Sequence, residues 1–309
     1  MTAFDVVDTL GRPECTAAHL RPDHIHSPRL VSMPHERSGP PLPQYVQMLR
    51  EDAHPEVRAS FMHVGYWSKP NQRPLAYGVY LAQRRLAEYV IETAGIRNGY
   101  TVLDIGCGFG GISQLIDEQY TSVRAIGLDI HTMQLHVCSS LSPRPGNRLL
   151  WTYGDAVSMP FKDGTADAII SVEAAMHFRS REAFFAETAR LLRPNGRLAM
   201  VDILLDVDAA RSRGLTVSSI LDILAPDFTP LPELDTELAD LLACASRSGL
   251  RCVEAIDITE NTLPTYSPDA YDEFPPGMMT LGSQNSIQLF VDLHRAHIIN
   301  MHLLAFVVA

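Results

Sequence analysis

No stretch of about 18 uninterrupted apolar residues occurs in this sequence, which leaves nothing to read as a membrane span. Positive charge is scarce. The 309 residues carry 25 Lys and Arg against 36 Asp and Glu, a net charge of −11. Such a balance steers a protein toward neither nucleic acid nor an anionic membrane, and it would attract a neutral or cationic small molecule. The five cysteines (Cys15, Cys107, Cys138, Cys244, Cys252) stand singly, without a CxxC spacing for zinc or a disulfide framework. The opening residues, MTAFDVVDTLGRPEC, lack a basic region followed by an apolar run, so no signal peptide is read there. Internal repeats are missing too. These absences point to a soluble, cytoplasmic protein. A 46% hydrophobic content over this length suits one large α/β domain or a domain with a cap.

What is present has a clear rhythm. Residues 1–43, rich in Pro, His and Arg, read as a loosely ordered N-terminal arm. The sharper alternative is an arm that packs over a pocket or onto a neighbouring copy in a homo-oligomer. Residues 44–95 read as a helical lid, interrupted by FMHVGYW at 61–67 and stopped at Gly95. From residue 96, strands and helices alternate: YTVLDI (100–105), GISQLIDEQY (111–120), VRAIGLD (123–129), TMQLHVCSSL (132–141), RLLWTYGD (148–155) and ADAIISVE (166–173). REAFFAETARLL (181–192) follows as a helix stopped by Arg193-Pro194-Asn195-Gly196, and RLAMVDILL (197–205) as a strand. This alternation predicts a parallel sheet covered on both faces. Residues 206–232 break the rhythm and read as irregular. A helix (235–249) and a strand (251–259) restore it, 261–280 is again irregular, and a helix (284–298) and a strand (303–309) close the chain. The irregular insertions, at about 206–232 and 261–300, read as cap elements on a core spanning 96–309.

The stretch VLDIGCGFGG (102–111) ends a strand in a carboxylate and a burst of glycines. Gly106-x-Gly108-x-x-Gly111 formally matches a dinucleotide turn, with Asp129 at the end of the next strand placed for ribose hydroxyls. Asp104 argues against a dinucleotide, because a carboxylate at this turn repels pyrophosphate. It suits the ammonium and sulfonium of S-adenosylmethionine. In YGDA (153–156), Asp155 can accept from an adenine amino group while the N–H of Ala156 donates to a ring nitrogen. The plain alternatives are a tight ligand-free turn for the glycines, a helix cap for Asp129 and an Asx turn for Asp155.

LDIGCGFGG, GLDIHTMQL, YGDAVSMPF, SVEAAMHF and LLRPNGRLAMVDI occur together in order. On these motifs the chain resembles the class I S-adenosylmethionine-dependent methyltransferases, in their small-molecule subgroup acting on quinones, sterols, prenyl diphosphates and natural products. MHVGYW (62–67) is similar to that subgroup's lid segment. The resemblance covers about residues 60–260 and the final strand; the first 40 residues and the 261–300 insert resemble nothing identified. It implies a doubly wound, Rossmann-like, seven-stranded, mostly parallel sheet with an N-terminal helical lid and an inserted cap. It implies that Asp104, Gly106, Gly108 and Gly110 hold the methionine end of S-adenosylmethionine. Asp129 takes the ribose, Ile130 lies beside the adenine, Gln134 lies near the ribose, and Asp155 and Ala156 read the adenine.

Methyl transfer from a sulfonium is an in-line displacement that asks the protein mainly for alignment. A hydroxyl acceptor needs a base. An alkene acceptor leaves a carbocation, which a carboxylate or aromatic faces can stabilise. The resemblance puts Glu173 opposite the acceptor. His177 is a candidate general base, with an ordinary pKa near 6.5. The plain alternatives are a Glu173 that holds the lid and a satisfied helix histidine. His63, Tyr66 and Trp67 are read as lid and pocket wall, with Trp67 equally readable as a hydrophobic anchor. Leu204, Phe228, Tyr266 and Met278 are read as lining the acceptor site, against ordinary loop packing. No metal-ligand spacing is evident, and none is expected. The reading leans to C-methylation of a prenyl or terpenoid group, with rearrangement or cyclisation of a carbocation as a corollary. O-methylation of an aromatic or glycosylated natural product is the near rival. A nicotinamide-dependent oxidoreductase and a non-catalytic S-adenosylmethionine-binding protein are the alternatives from other classes.

Overall fold

The computed structural model describes residues 61–69, 78–228, 232–266 and 284–309. The N-terminal arm, the first part of the lid and Met278 lie outside the described residues.

Seven strands form the sheet: β1 Thr101–Ile105, β2 Arg124–Asp129, β3 Arg148–Tyr153, β4 Ala166–Val172, β5 Leu192–Leu205, β6 Leu250–Asp257 and β7 Ile299–Val308. Their order is β3-β2-β1-β4-β5-β7-β6. The first five pair in parallel, and β7 runs antiparallel between β5 and β6. The helices are α1 Gly78–Thr93, α2 Gly111–Gln119, α3 Thr132–Cys138, α4 Arg181–Leu191, α5 Val207–Ser212, α6 Val217–Phe228, α7 Leu238–Arg247, α8 Thr259–Thr262 and α9 Gln284–Arg295. The chain is therefore a doubly wound α/β fold with a mixed seven-stranded sheet.

Successive strand residues point to opposite faces, so each central strand feeds two cores. Val102, Ile170, Val201 and Leu303 join α1 (Leu86, Val90, Ile91) and α2 (Leu115, Ile116) on one face. Leu103, Ile169, Met200 and Leu304 join α4 (Phe184, Phe185) and α7 (Leu241, Ala245) on the other. Each such buried side chain contributes about 1.5–3 kcal/mol, which explains why strands such as LLAFVV read as unbroken apolar runs.

Several boundaries differ from the sequence reading. Arg193-Pro194-Asn195-Gly196 is not a stop outside the sheet. Leu192 already pairs with Ala166, and the register resumes at Ala168 with Arg197, so these residues form a bulge inside β5 with Asn195 at φ 67°. Residues 206–232 are not simply irregular, because they hold α5 and α6. Asp206 caps α5 by accepting from the Ala209 N–H at 2.7 Å. Thr216 and Ser219 bond reciprocally at the start of α6, each hydroxyl accepting the other's N–H (3.0 and 3.1 Å). Ile220 and Leu224 carry α6 into the core. The start of 261–280 is also helical: α8 runs into a 3₁₀ turn at Leu263–Tyr266. Helix α3 ends at Cys138, three residues early.

Candidate functional site

The first four strands end at one edge of the sheet, and their following turns enclose a cavity of about 320 Å³. Loop after loop contributes a wall. Asp104 to Ile112 come from the β1–α2 turn, Leu128 to Gln134 from the β2–α3 turn, and Gly154 to Ala156 from the end of β3. Val172 to Arg179 follow β4, and Phe61 to His63 close the top.

The β1–α2 turn is set by backbone. The N–H groups of Gly106 and Cys107 both donate to the Leu128 carbonyl, at 2.8 and 3.1 Å. Gly106 has φ 73°, and a Cβ there would stand 2.4 Å from that of Ala174, so no larger residue fits. Asp104 is buried and accepts from the Ser113 hydroxyl at 2.7 Å. Burial pushes its carboxyl up to about 6, against the opposing pull of the Ser113 bond. Asp129 is buried and has both oxygens engaged, accepting from the N–H of Gly108 and of His131 at 2.9 Å each. Burial raises this carboxyl as well. Gln134 is buried with its Nε2 3.4 Å from Met62 Sδ, and its Oε1 has no partner among the described residues. Asp155 closes a tight turn onto the Val157 N–H (3.1 Å) and meets the Arg179 guanidinium at 3.3 Å. Ile130 and Ala156 line the same end.

At the other end stands Glu173, in the left-handed conformation at φ 49° directly after β4. It accepts from the Val64 N–H at 2.8 Å. Burial, reinforced by nearby Asp202, pushes its carboxyl up to about 8, although the Val64 bond works the other way. Asp202 is itself buried in an ion pair with Arg181 at 2.8 Å. His177 follows in a 3₁₀ turn, Ala175–His177, and lines the cavity too. His63 lies opposite. Its Nδ1 donates to the Val64 carbonyl at 2.8 Å, and burial pushes the imidazole down to about 4. The ring is therefore neutral, with its proton on Nδ1. The ring lines the cavity, and its Nε2, a bare acceptor, is buried with no partner among the described residues.

The segment carrying His63 is clamped. Gly65 N–H and Trp67 Nε1–H both donate to Thr265 Oγ1 at 3.0 Å, and Tyr66 and Trp67 N–H donate to the carbonyls of Ala82 and Asn261 at 2.8 Å. A Cβ on Gly65 would stand 2.4 Å from that of Ala82, so this contact requires glycine.

Some expected site residues sit elsewhere. Trp67 is 3% exposed and serves as the anchor of the clamp. Tyr66 packs edge-on against Tyr89 of α1. Leu204 is a core residue of β5. Tyr266 stacks edgewise on Phe290 and His294. Gly110 leaves the wall to its neighbours, caps α2 at φ 80° and backs onto Trp151. The side chain of Phe228, like Met278, falls outside the described residues. In turn, Phe61, Met62, Phe109, Ser113, Phe178 and Arg179 shape the site without having been singled out from sequence. Ser113 carried a usable signal, a hydroxyl in the first turn of the helix that follows the glycines.

Residues 103–200 match the family model described as a methyltransferase domain. The chain is 29% identical over 246 residues to the Methyltransferase GfsG of Streptomyces halstedii, covering 77% of this chain and 84% of that one. It is 27% identical to the O-methyltransferase rstn1 of Aspergillus nomiae, covering 71% of this chain and 91% of that one. Among solved structures it is similar to a geranyl diphosphate methyltransferase in complex with S-adenosylmethionine, with a TM-score of 0.62 and 19% identity over 80% of this chain and 98% of that one. At that identity the likeness speaks for the fold.

Proposed function

We propose that this chain, a class I S-adenosylmethionine-dependent methyltransferase, methylates a hydroxyl oxygen of a small, largely apolar natural product. The carrying observation is the His63 Nε2 lone pair, buried on the cavity wall without a partner among the described residues. A buried acceptor atom of this kind costs stability unless a ligand donates to it. A hydroxyl supplies that proton, and a prenyl double bond does not.

The residues fit the cofactor. Strand order β3-β2-β1-β4 sets Asp155 and Ala156, then Asp129, then Asp104 and Glu173, in sequence along the sheet edge. That row supports adenine, ribose and the cationic amino acid in turn, with the unpartnered Gln134 Oε1 available to a ribose hydroxyl. Bound S-adenosylmethionine supplies a methyl group already activated on a sulfonium. His63 Nε2 accepts the hydroxyl's hydrogen bond as the acceptor docks, and at transfer the hydroxyl turns that one proton to the ionised Glu173, with His177 beside the same space. Phe61, Phe109 and Phe178 exclude water around them.

A second reading keeps C-methylation of a prenyl or terpenoid group. It is favoured by those three rings and the Glu173 carboxyl, which together suit a carbocation. The test is incubation of the enzyme and methyl-¹³C-labelled donor with an extract of the source organism, then NMR of the labelled product. The proposal expects an O-methyl signal. A labelled methyl on carbon would replace it with the second reading.

A further inference from the structure

Glu173 poses a problem that its place opposite the acceptor does not solve. It is half-buried, strained into φ 49°, and its carboxyl accepts from the Val64 N–H. Around it, segment 61–67 offers His63, which is neutral, and β1 offers Asp104, bonded to Ser113. β2 offers Asp129, and β5 offers Asp202, already paired with Arg181. The turn after β4 offers His177 and also Arg179, whose guanidinium faces Asp155. Asp202 is thus the acidic group that acts on Glu173, and Arg179, the one Lys or Arg among the described residues lining the cavity, faces Asp155 at the far end. A carboxyl in that setting stays protonated until a cation arrives.

The donor and its spent product differ at one atom. S-adenosylmethionine carries a positive sulfur, and S-adenosylhomocysteine a neutral one. Both carry the same adenine, ribose and amino acid, which meet the Asp155, Asp129 and Asp104 positions alike. We propose that Glu173 is the residue by which this enzyme tells its sulfonium donor from its thioether product: the carboxyl releases a proton to solvent when S-adenosylmethionine enters and keeps it when S-adenosylhomocysteine does. The proposal rests on the site reading above only for Glu173 lying beside the sulfur. The proton balance closes over one turnover. Donor entry sends the Glu173 proton to solvent. The acceptor oxygen then forms its bond to the methyl carbon as the carbon–sulfur bond breaks, and the hydroxyl proton passes to the Glu173 carboxylate. The thioether is left beside a neutral acid, and its hold on the site weakens as the charge pair disappears.

Calorimetric titration of the ligand-free enzyme in phosphate and in Tris, buffers of different ionisation enthalpy, counts the protons released on binding. For a group titrating near 8, about 0.9 is protonated at pH 7, so S-adenosylmethionine should release roughly 0.9 proton more than S-adenosylhomocysteine. The excess should fade as pH rises through about 8. In Glu173→Gln, whose amide oxygen can still accept from Val64, the excess should vanish. Affinity for the donor should drop at least 10-fold while affinity for the product holds, which also shows that the variant is folded. Equal proton counts for the two ligands in the wild type, or an excess that survives in Glu173→Gln, would overturn the proposal. If the variant fails to bind the product, the wild-type pH series decides alone, and an excess independent of pH is the contrary result. No acceptor enters these titrations, so they stand or fall apart from the choice between oxygen and carbon.

Discussion

The donor end of the cavity is closed by neighbours in sequence, and the acceptor end by strangers. Ser113 bonds to Asp104 across nine residues and Gly108 to Asp129 across 21. Val64 bonds to Glu173 across 109 residues and Gly65 to Thr265 across 200. The first set belongs to two consecutive strand–turn–helix units and forms as those units form. The second requires the whole sheet to be assembled. On the proposed reading, donor recognition is a local property of this chain and acceptor recognition a global one.

Variants separate the two ends. The largest effect belongs to Glu173→Gln, which should cut turnover by about 10²–10⁴ while product binding holds; an unchanged kcat would remove Glu173 from the chemistry. Asp129→Ala strikes the donor end, where loss of a charged hydrogen-bond acceptor should weaken S-adenosylmethionine binding by about 10–100-fold in calorimetry. Thr265→Val breaks the clamp at the far end. It leaves the Gly65 and Trp67 donors buried without their acceptor, which should cost about 2 kcal/mol and lower Tm by several degrees, with donor affinity nearly untouched.

The pH dependence of stability is the next step down. Glu173 ionises near 4.5 when unfolded and near 8 when folded, so the folded state holds the proton more tightly. Its stabilisation is largest below the unfolded value and is lost as pH rises toward the folded one. Between pH 6.5 and 8 the buried histidines are neutral, and the ligand-free protein should lose about 1.5 kcal/mol in denaturant titrations. Glu173→Gln should flatten that slope. The smallest effect is His63→Phe, which keeps an aromatic ring but deletes Nε2 together with the Nδ1 donor to Val64. KM for the labelled hydroxyl acceptor should rise about 5–10-fold, at about 1 kcal/mol, with donor affinity unchanged.

The same contrast explains what could be read from sequence. The alternating strands, the glycine turn and the carboxylates Asp104, Asp129 and Asp155 are local patterns, and each stands on or beside the cavity as its spacing suggests. Helices α5 and α6 were missed because prolines in 206–232 outweighed two capping signals, Asp206 and the Thr216/Ser219 pair. Leu204 and Tyr266 read as acceptor wall from sequence, and Trp67 equally as wall or anchor, because an apolar side chain near a strand end looks the same whether it faces a ligand or a core. What distinguishes them is a partner far along the chain, such as Thr265 for Trp67. His63 could be named from MHVGYW, but its bare Nε2 depends on Val64 turning its carbonyl back onto Nδ1.

A structure of the enzyme with S-adenosylhomocysteine bound is the most direct test of this division. The account predicts adenine at Asp155 and Ala156, ribose on Asp129, the amino acid at Asp104, and the sulfur facing Glu173 across the space that the His63 ring lines. A sulfur turned away from Glu173, or an amino acid seated on His63, would contradict it.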